Sequence, residues 1–303
     1  MTTNFSEDLD SKPLVTCQFY GQLGNQLFII ATTLGYAWDY DAVPIFPGLI
    51  TAKNRTCYNK DRLFFRLNAA QSPRPFSYIY RTDLESEWFS SKKIPFRPDQ
   101  ILDGYFQSWR HFHHHKEKIL KIFAPSDYTE NYLNEKYQTL LQNPKTVGIH
   151  VRTQAKLLHD NGHHPFWGMG YYKEAMDQFP QDTTFVVISD RINWCKHQFS
   201  KLNRRVVFVE GNYGIEDLFL LTKLKGNILS NSSFSWWAAY LNINENPISI
   251  FPKYWKDPKL HINPPEEDFF LSEWKLIDYS IKENYPEDMN NYDKESKSLD
   301  NNN

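Results

Sequence analysis

Thr146–Val151, TVGIHV, is the first of five short apolar runs in the second half of the chain. The others are TFVVI at Thr184–Ile188, RVVFV at Arg205–Val209, the short Asn227–Leu229, and PISIF at Pro247–Phe251. Between them lie segments with helical spacing, at Tyr171–Phe179, Asn193–Phe199, Ile215–Lys223 and Phe234–Leu241. The runs are too short for helices and rich in β-branched residues. The intervening segments repeat apolar residues every three or four positions. Strict alternation of the two predicts a parallel sheet flanked by helices. Such sheets bind ligands beyond the carboxyl ends of their strands, often at helix N-termini.

The first half opens similarly. Leu14–Tyr20 reads as a strand, followed by a Gly-containing turn and a helix at Leu27–Trp38. Val43–Phe46 and Ile101–Gln107 (ILDGYFQ) read as strands, Phe112–Ile122 and Tyr128–Leu141 as helices. Thr51 to Pro98 mixes Pro, Tyr and Arg without a clear period. Asn143-Pro144-Lys145 breaks the helical pattern. The expected division is therefore an N-terminal domain over residues 13–143 and a C-terminal domain over 144–283. Residues 1–12 and 286–303 are polar and poor in apolar side chains. Burial cannot offset their ordering entropy, so they are expected to be disordered tails.

Hydrophobic residues make up 41% of the 303, enough for buried cores. A net charge of −2 offers no basic stripe for nucleic acid. Aromatics at 16% favour a carbohydrate or nucleotide partner, because ring faces stack on sugars and bases. No apolar run is long enough to cross a membrane as a helix, and Met1–Lys12 lacks the pattern of a secretory signal. Cys17, Cys57 and Cys195 form neither a disulfide framework nor a metal spacing. Together these features lead us to expect a cytoplasmic protein.

Four segments carry candidate chemistry. Gly21-Gln22-Leu23-Gly24-Asn25-Gln26 joins a strand to a helix. Gly24 lets a ligand approach the backbone, and Asn25 and Gln26 add side-chain donors; a plain turn with an Asn cap is the other reading. His150 and Arg152 alternate at a strand's carboxyl edge, where an arginine can clamp a diphosphate through paired N–H bonds. A structural histidine with an inter-domain salt bridge is the competing reading. Ser230-Asn231-Ser232-Ser233-Phe234-Ser235 feeds a helix, and its hydroxyls with free N–H groups make a phosphate site or a helix cap. Asp190 ends the TFVVI strand, where a carboxylate can accept from a base edge or a ribose. Weaker candidates are Asp39-Tyr40-Asp41 and Asp8-Leu9-Asp10, which look like metal-holding Asp-X-Asp pairs. His111, His113, His114 and His115 share no helix face and have no adjoining carboxylate in sequence, so they read as a solvated face. Asn54 and Asn231 head glycosylation sequons with no secretion signal before them.

Taken in order, these segments resemble glycosyltransferase family 11, the bacterial α-1,2-fucosyltransferases. The family's Gly-Gly-Leu-Gly-Asn-Gln-hydrophobic-Phe stretch is similar to Gly21–Phe28, with Gln22 for the second Gly. Its Gly-Tyr-Phe-Gln segment matches Gly104–Gln107, and its His-X-Arg-Arg-Gly-Asp motif resembles His150–Ala155. Its strand ending before Trp-Cys-Lys is similar to Ile188–Lys196; Ser230–Ala239 and Pro252–Trp255 match throughout. The chain departs at Thr153, Gln154 and Ala155, where the family has Arg, Gly and Asp.

The resemblance implies a GT-B-like α/β fold of two Rossmann-like domains facing a central cleft, acceptor-side first and donor-side second. It implies inverting transfer of L-fucose from GDP-β-L-fucose to a sugar hydroxyl, the galactoside 2-OH, without metal or other cofactor. Arg152 would clamp the diphosphate with Asn231, Ser232, Ser233 and Ser235 at the helix start, and His150 and Asp190 would contact the guanosine. Gly24, Asn25 and Gln26 complete the expected binding set. The expected catalytic residues are Arg152, His150 and Asp160, with Asp160 as base in the Ala155–Phe166 loop beside His159 and His163. A lipid-linked acceptor would bring peripheral membrane contact. The alternatives are another sugar nucleotide, a protein acceptor, or a non-catalytic binder of GDP-sugar or glycan.

Overall fold

Two separate parallel sheets realise the alternation of short apolar runs and helices. The computed structural model describes residues 9–51, 59–82, 84, 87–153 and 165–279. In the first sheet β1 (Leu14–Cys17), β2 (Val43–Pro44), β3 (Tyr78–Arg81) and β4 (Gln100–Asp103) take the order β2-β1-β4-β3. In the second, β5 (Thr146–Val151), β6 (Thr184–Ser189), β7 (Arg205–Phe208), β8 (Gly226–Ile228), β9 (Ile248–Pro252) and β10 (Lys275–Ile277) take the order β10-β9-β8-β5-β6-β7. Every pairing in both is parallel. The chain divides into two units. The first runs to Thr129 and takes back Pro264–Leu271; the second holds Glu130–Asn263 and the chain from Ser272. Helix Asp127–Lys136 carries the chain from one to the other.

In the second unit β5 is buried along its whole length. Val147, Ile149 and Val151 share one face with a core that includes Trp167, Tyr171, Phe185, Val187 and Trp194. Gly148 and His150 occupy the other face, as a period of two requires. There helix Gly214–Lys223 comes very close. A Cβ on Gly148 would lie 2.4 Å from Asn227 Oδ1 and 2.5 Å from Leu221 Cδ2. Glycine at 148 is thus a packing requirement of that helix.

Several elements differ from the sequence reading. β3 was not foreseen. It is an edge strand whose residues are mostly exposed, so it carries no apolar run. β4 stops at Asp103 rather than Gln107, because Phe106 takes a left-handed φ of 48°. The helix expected at Phe112–Ile122 starts as 3-10 turns at Trp109–His111 and His113–His115 and becomes α-helical at Lys116–Ile122. Residues 9–12, expected in a disordered lead, are held by Arg74. Its Nη1 donates to Leu9 O at 2.6 Å, and its Nη2 donates to Lys12 O. Residues 280–303, with the expected C-terminal tail, lie outside the described residues.

Gly148→Ala is expected to lower unfolding free energy by about 1–3 kcal/mol, the usual cost of overpacking a filled site. Urea unfolding measures it. An unchanged midpoint would show that helix Gly214–Lys223 is not held against β5 as described.

Candidate active site

The strand order places a switch point between β5 and β8. From β5 the chain winds to β6 and β7 on one side, then crosses to β8, β9 and β10 on the other. Ligands of such sheets sit beyond the carboxyl ends at this reversal. The residues found there are His150 to Thr153 at the end of β5, Ser230 to Ser235 after β8, and Asp190 after β6.

His150 ties the two sides of the switch point. Its Nδ1 lies 2.6 Å from Ser235 Oγ and 3.3 Å from Ser230 Oγ, and the two hydroxyl oxygens are 3.0 Å apart. The Ser230 amide donates to Ser235 Oγ at 3.2 Å. Ser235 Oγ thus bonds the Ser230 amide, the Ser230 hydroxyl and the imidazole at once. The imidazole is 6% exposed and packs on Phe234. Burial, with Arg152 beside it, pushes its pKa down to about 3. The ring is therefore held neutral, and its Nδ1 is engaged with the two serine hydroxyls. Ser235, expected on the phosphate, is fully buried in the same network.

Arg152 and Asp190 stand next to it, part-exposed. Arg152 Nη1 donates to Asp190 Oδ2 at 3.0 Å; the Thr153 amide and hydroxyl donate to Asp190 Oδ1 at 3.0 and 3.2 Å. Asp190 thus fixes both the guanidinium and the backbone after β5. A guanidinium carries five N–H donors, and among the described residues Asp190 takes one of those of Arg152. Helix Ser233–Tyr240 starts at this edge with Ser232 as its cap residue, and the Ser232 side chain makes no cap bond. Its first-turn N–H groups have no intrahelical acceptor. Ser232 and Ser233 are half-buried. Asn231 is otherwise engaged: its Nδ2 donates to Pro165 O and Trp255 O, both at 3.0 Å, and it is 3% exposed. It anchors the surrounding loops, and its sequon is not accessible. Trp236 and Trp237 are fully buried and pack on Tyr240. Gln154, Ala155, His159, Asp160 and His163 lie outside the described residues, as do Asp8 and Asn54.

The expected Gly24, Asn25 and Gln26 belong to the first unit. Gly21 has a φ of +64°, and a Cβ there would meet Asn25 Nδ2 at 2.2 Å. Gln26 is fully buried; its Nε2 donates to Gly21 O at 3.3 Å, and Asn59 Nδ2 donates to its Oε1 at 2.9 Å. It holds the turn. Gln107 Nε2 donates to Asn25 Oδ1 at 2.8 Å, joining two segments far apart in sequence. Nearby, Asp103 accepts from Tyr20 at 2.6 Å and from Arg81 Nε at 2.8 Å. The hydrogen bond to Asp103 is the main reason that the Tyr20 pKa rises to about 12. Tyr105 lies 5.8 Å from Tyr20 and 4.5 Å from Trp88, ring centre to ring centre.

Two groups escaped the sequence reading. Asp217 is half-buried in the first turn of helix Gly214–Lys223, accepts from Asn212 at 3.0 Å, and has its pKa pushed up to about 7 by desolvation. Asn212 in turn accepts from Tyr132, Lys136 and Tyr137. Its position after β7 was the available signal. Asp39 lies 2.8 Å from both His114 and His115, so the histidines do adjoin a carboxylate, supplied from the end of another helix. Cys17 and Cys195 are buried, and burial pushes both thiols up to about 12.

A family model described as Glycosyl transferase family 11 matches residues 75–278. The "O-antigen biosynthesis glycosyltransferase WbnK" of Escherichia coli is 28% identical over 181 residues, covering 56% of this chain and 59% of its own. An "Alpha-1,2-colitosyltransferase" of Escherichia coli is 31% identical over 184 residues, covering 56% and 61%. The chain therefore spans about three-fifths of these relatives. Among solved structures, "NodZ alpha-1,6-fucosyltransferase soaked with GDP-fucose" superposes with a TM-score of 0.53 at 15% identity, covering 76% of this chain and 93% of that one. That likeness bears out the α/β, GT-B-like fold expected from the sequence.

Because His150 has a depressed pKa in the folded chain, the stability it confers is complete above its unfolded value near 6.5 and is lost as pH falls towards 3. Between about pH 7 and pH 4.5 the wild type should lose on the order of 2–3 kcal/mol more than His150→Asn. Urea titrations at both pH values measure this. Equal losses would show that the imidazole is not buried neutral.

Proposed function

Since the chain belongs to glycosyl transferase family 11, we propose that it transfers L-fucose from GDP-β-L-fucose to the 2-OH of a galactoside with inversion and without metal. The supporting observation is that Arg152, held by Asp190 at the end of β5, and the start of helix Ser233–Tyr240 after β8 both lie at the carboxyl edge of the sheet at its switch point. The acceptor oxygen attacks the anomeric carbon from the face opposite the phosphate. The bond to the diphosphate oxygen breaks, GDP leaves with the bonding electrons, and the hydroxyl proton passes to a base. Charge grows on the diphosphate as this happens. A pre-oriented guanidinium and fixed N–H donors stabilise it there, and a metal has no necessary part.

In this reading Asp190 is a positioning residue for Arg152, and His150 positions Ser235 and the helix start. Ser232 and Ser233 receive the phosphates. Asp160 is the base. We assign the acceptor face to the first unit, where the rings of Trp88, Tyr105 and Tyr20 would stack on the apolar side of a galactose. A relative named for colitosyl transfer makes a colitose nucleotide the competing donor in any assay.

GDP release with EDTA and a galactoside panel should need an acceptor and fall on the order of 100- to 1,000-fold in Arg152→Ala. Asp160→Asn should lose turnover and keep GDP binding. Near-normal turnover in Arg152→Ala, or dependence on added metal, would sink the metal-free mechanism. Trp88→Ala should raise the acceptor KM by about tenfold while leaving the donor KM unchanged, the size of one lost stacking contact. A change in donor KM alone would remove Trp88 from the acceptor face.

A further inference from the structure

We propose that Asp39, His114 and His115 form a binding site for a divalent metal ion of the zinc class on the first unit. The inference is independent of the transferase reading. Asp39 is the last residue of the 17-residue helix Leu23–Asp39, and the histidines come from the 3-10 turn His113–His115. His114 Nε2 and His115 Nε2 both lie 2.8 Å from the same carboxylate oxygen, Asp39 Oδ1. The three ligand atoms lie within 4.8 Å of one another, and no other group of three His, Cys, Asp or Glu converges in this way among the described residues.

The donor set fits this class of ion. Two imidazoles and a carboxylate suit zinc, cobalt, nickel or copper, whereas magnesium and calcium prefer oxygen donors. In the metal-free chain each ring donates its Nε2 proton to Asp39. A metal at the centre of the three takes the Nε2 lone pairs while each ring's proton moves to Nδ1, so both rings ligate as neutral imidazoles. Contact distances near 2.0–2.2 Å then place ligand atoms a little over 3 Å apart. Small side-chain movements reach this from the observed spacing.

The surroundings support the assignment. His115 is held edge-on against Trp38 at 5.2 Å, and the two histidine rings lie 4.3 Å apart. The other two histidines of the run are engaged elsewhere: His111 Nε2 is 2.8 Å from Ser90 O, and His113 packs edge-on to Trp109. Asp41, beside the helix end, pairs with Lys12. Lys118 and Lys93 sit over the rings of Trp38 and Tyr40. The carboxyl end of the helix adds partial negative charge, which favours a cation. Asp39 and His114 are 38% and 47% exposed, so an ion and its water ligands have access from solvent, while the 17% exposed His115 gives the site a fixed wall. The site lies about 24 Å along the helix from its first turn. An ion there would clip the end of this helix to a turn distant in sequence and would stabilise the unit without touching donor or acceptor.

Titration of the metal-stripped chain with zinc against a chromophoric chelator tests the proposal, with cobalt as a spectroscopic probe and magnesium as a control. One zinc per chain, a raised Tm with zinc, and visible d–d absorption with cobalt are expected. Magnesium should have no effect. Asp39→Asn should weaken zinc binding, and His114→Ala/His115→Ala should abolish both the binding and the Tm shift. Circular dichroism without metal confirms that each variant is folded. The proposal is overturned if the wild type binds no zinc above the chelator background, or if the double variant binds it as the wild type does.

Discussion

A buried imidazole that stays uncharged joins the two strands on which the second unit turns. His150 leaves β5, Ser230 and Ser235 follow β8, and their hydrogen bonds close a small ring across the switch point. A protonated ring would have two donors and no acceptor, and a charge would sit in this buried network without a counter-charge among the groups that bond it. Burial prevents this by penalising the charged form. The start of helix Ser233–Tyr240 is thereby fixed relative to β5. Arg152, two residues beyond His150, inherits its position from the same anchor.

The charges at this edge follow a second constraint. Asp190 accepts from Arg152 and from both the amide and hydroxyl of Thr153. Thr153 stands where the family motif has a second arginine. A hydroxyl at 153 gives Asp190 a neutral partner beside the guanidinium of Arg152.

The sequence revealed the features governed by local period and lost those governed by long-range contact. β5, β6 and β9 are buried strands, so their apolar runs were visible. β3 is an exposed edge strand among prolines, and β10 has three residues, so neither gave a run to read. In the candidate site, the placing of Arg152 at a strand end and of Ser232–Ser233 at a helix start was legible because strand ends and helix starts are local features. The state of His150 was not, because neutrality depends on burial by residues distant in sequence. Asn231 illustrates the same limit: nothing near it in sequence shows that its amide serves the carbonyls of Pro165 and Trp255. Asp39 was hidden from the histidine cluster for this reason too, since 75 residues separate it from His114.

Two helix ends show how one physical asymmetry sorts ligands across the molecule. Unsatisfied N–H groups make the start of an α-helix positive, and unsatisfied carbonyls make its end negative. The second unit directs the start of Ser233–Tyr240 at the carboxyl edge of its sheet, beside an arginine. Both features favour an anion. The first unit closes Leu23–Asp39 with a carboxylate and two imidazoles at its negative end. Both features there favour a cation. Neither dipole is strong enough to make a site by itself. Each becomes selective only because the fold brings in side chains of matching character, from β5 in one case and from a histidine turn in the other.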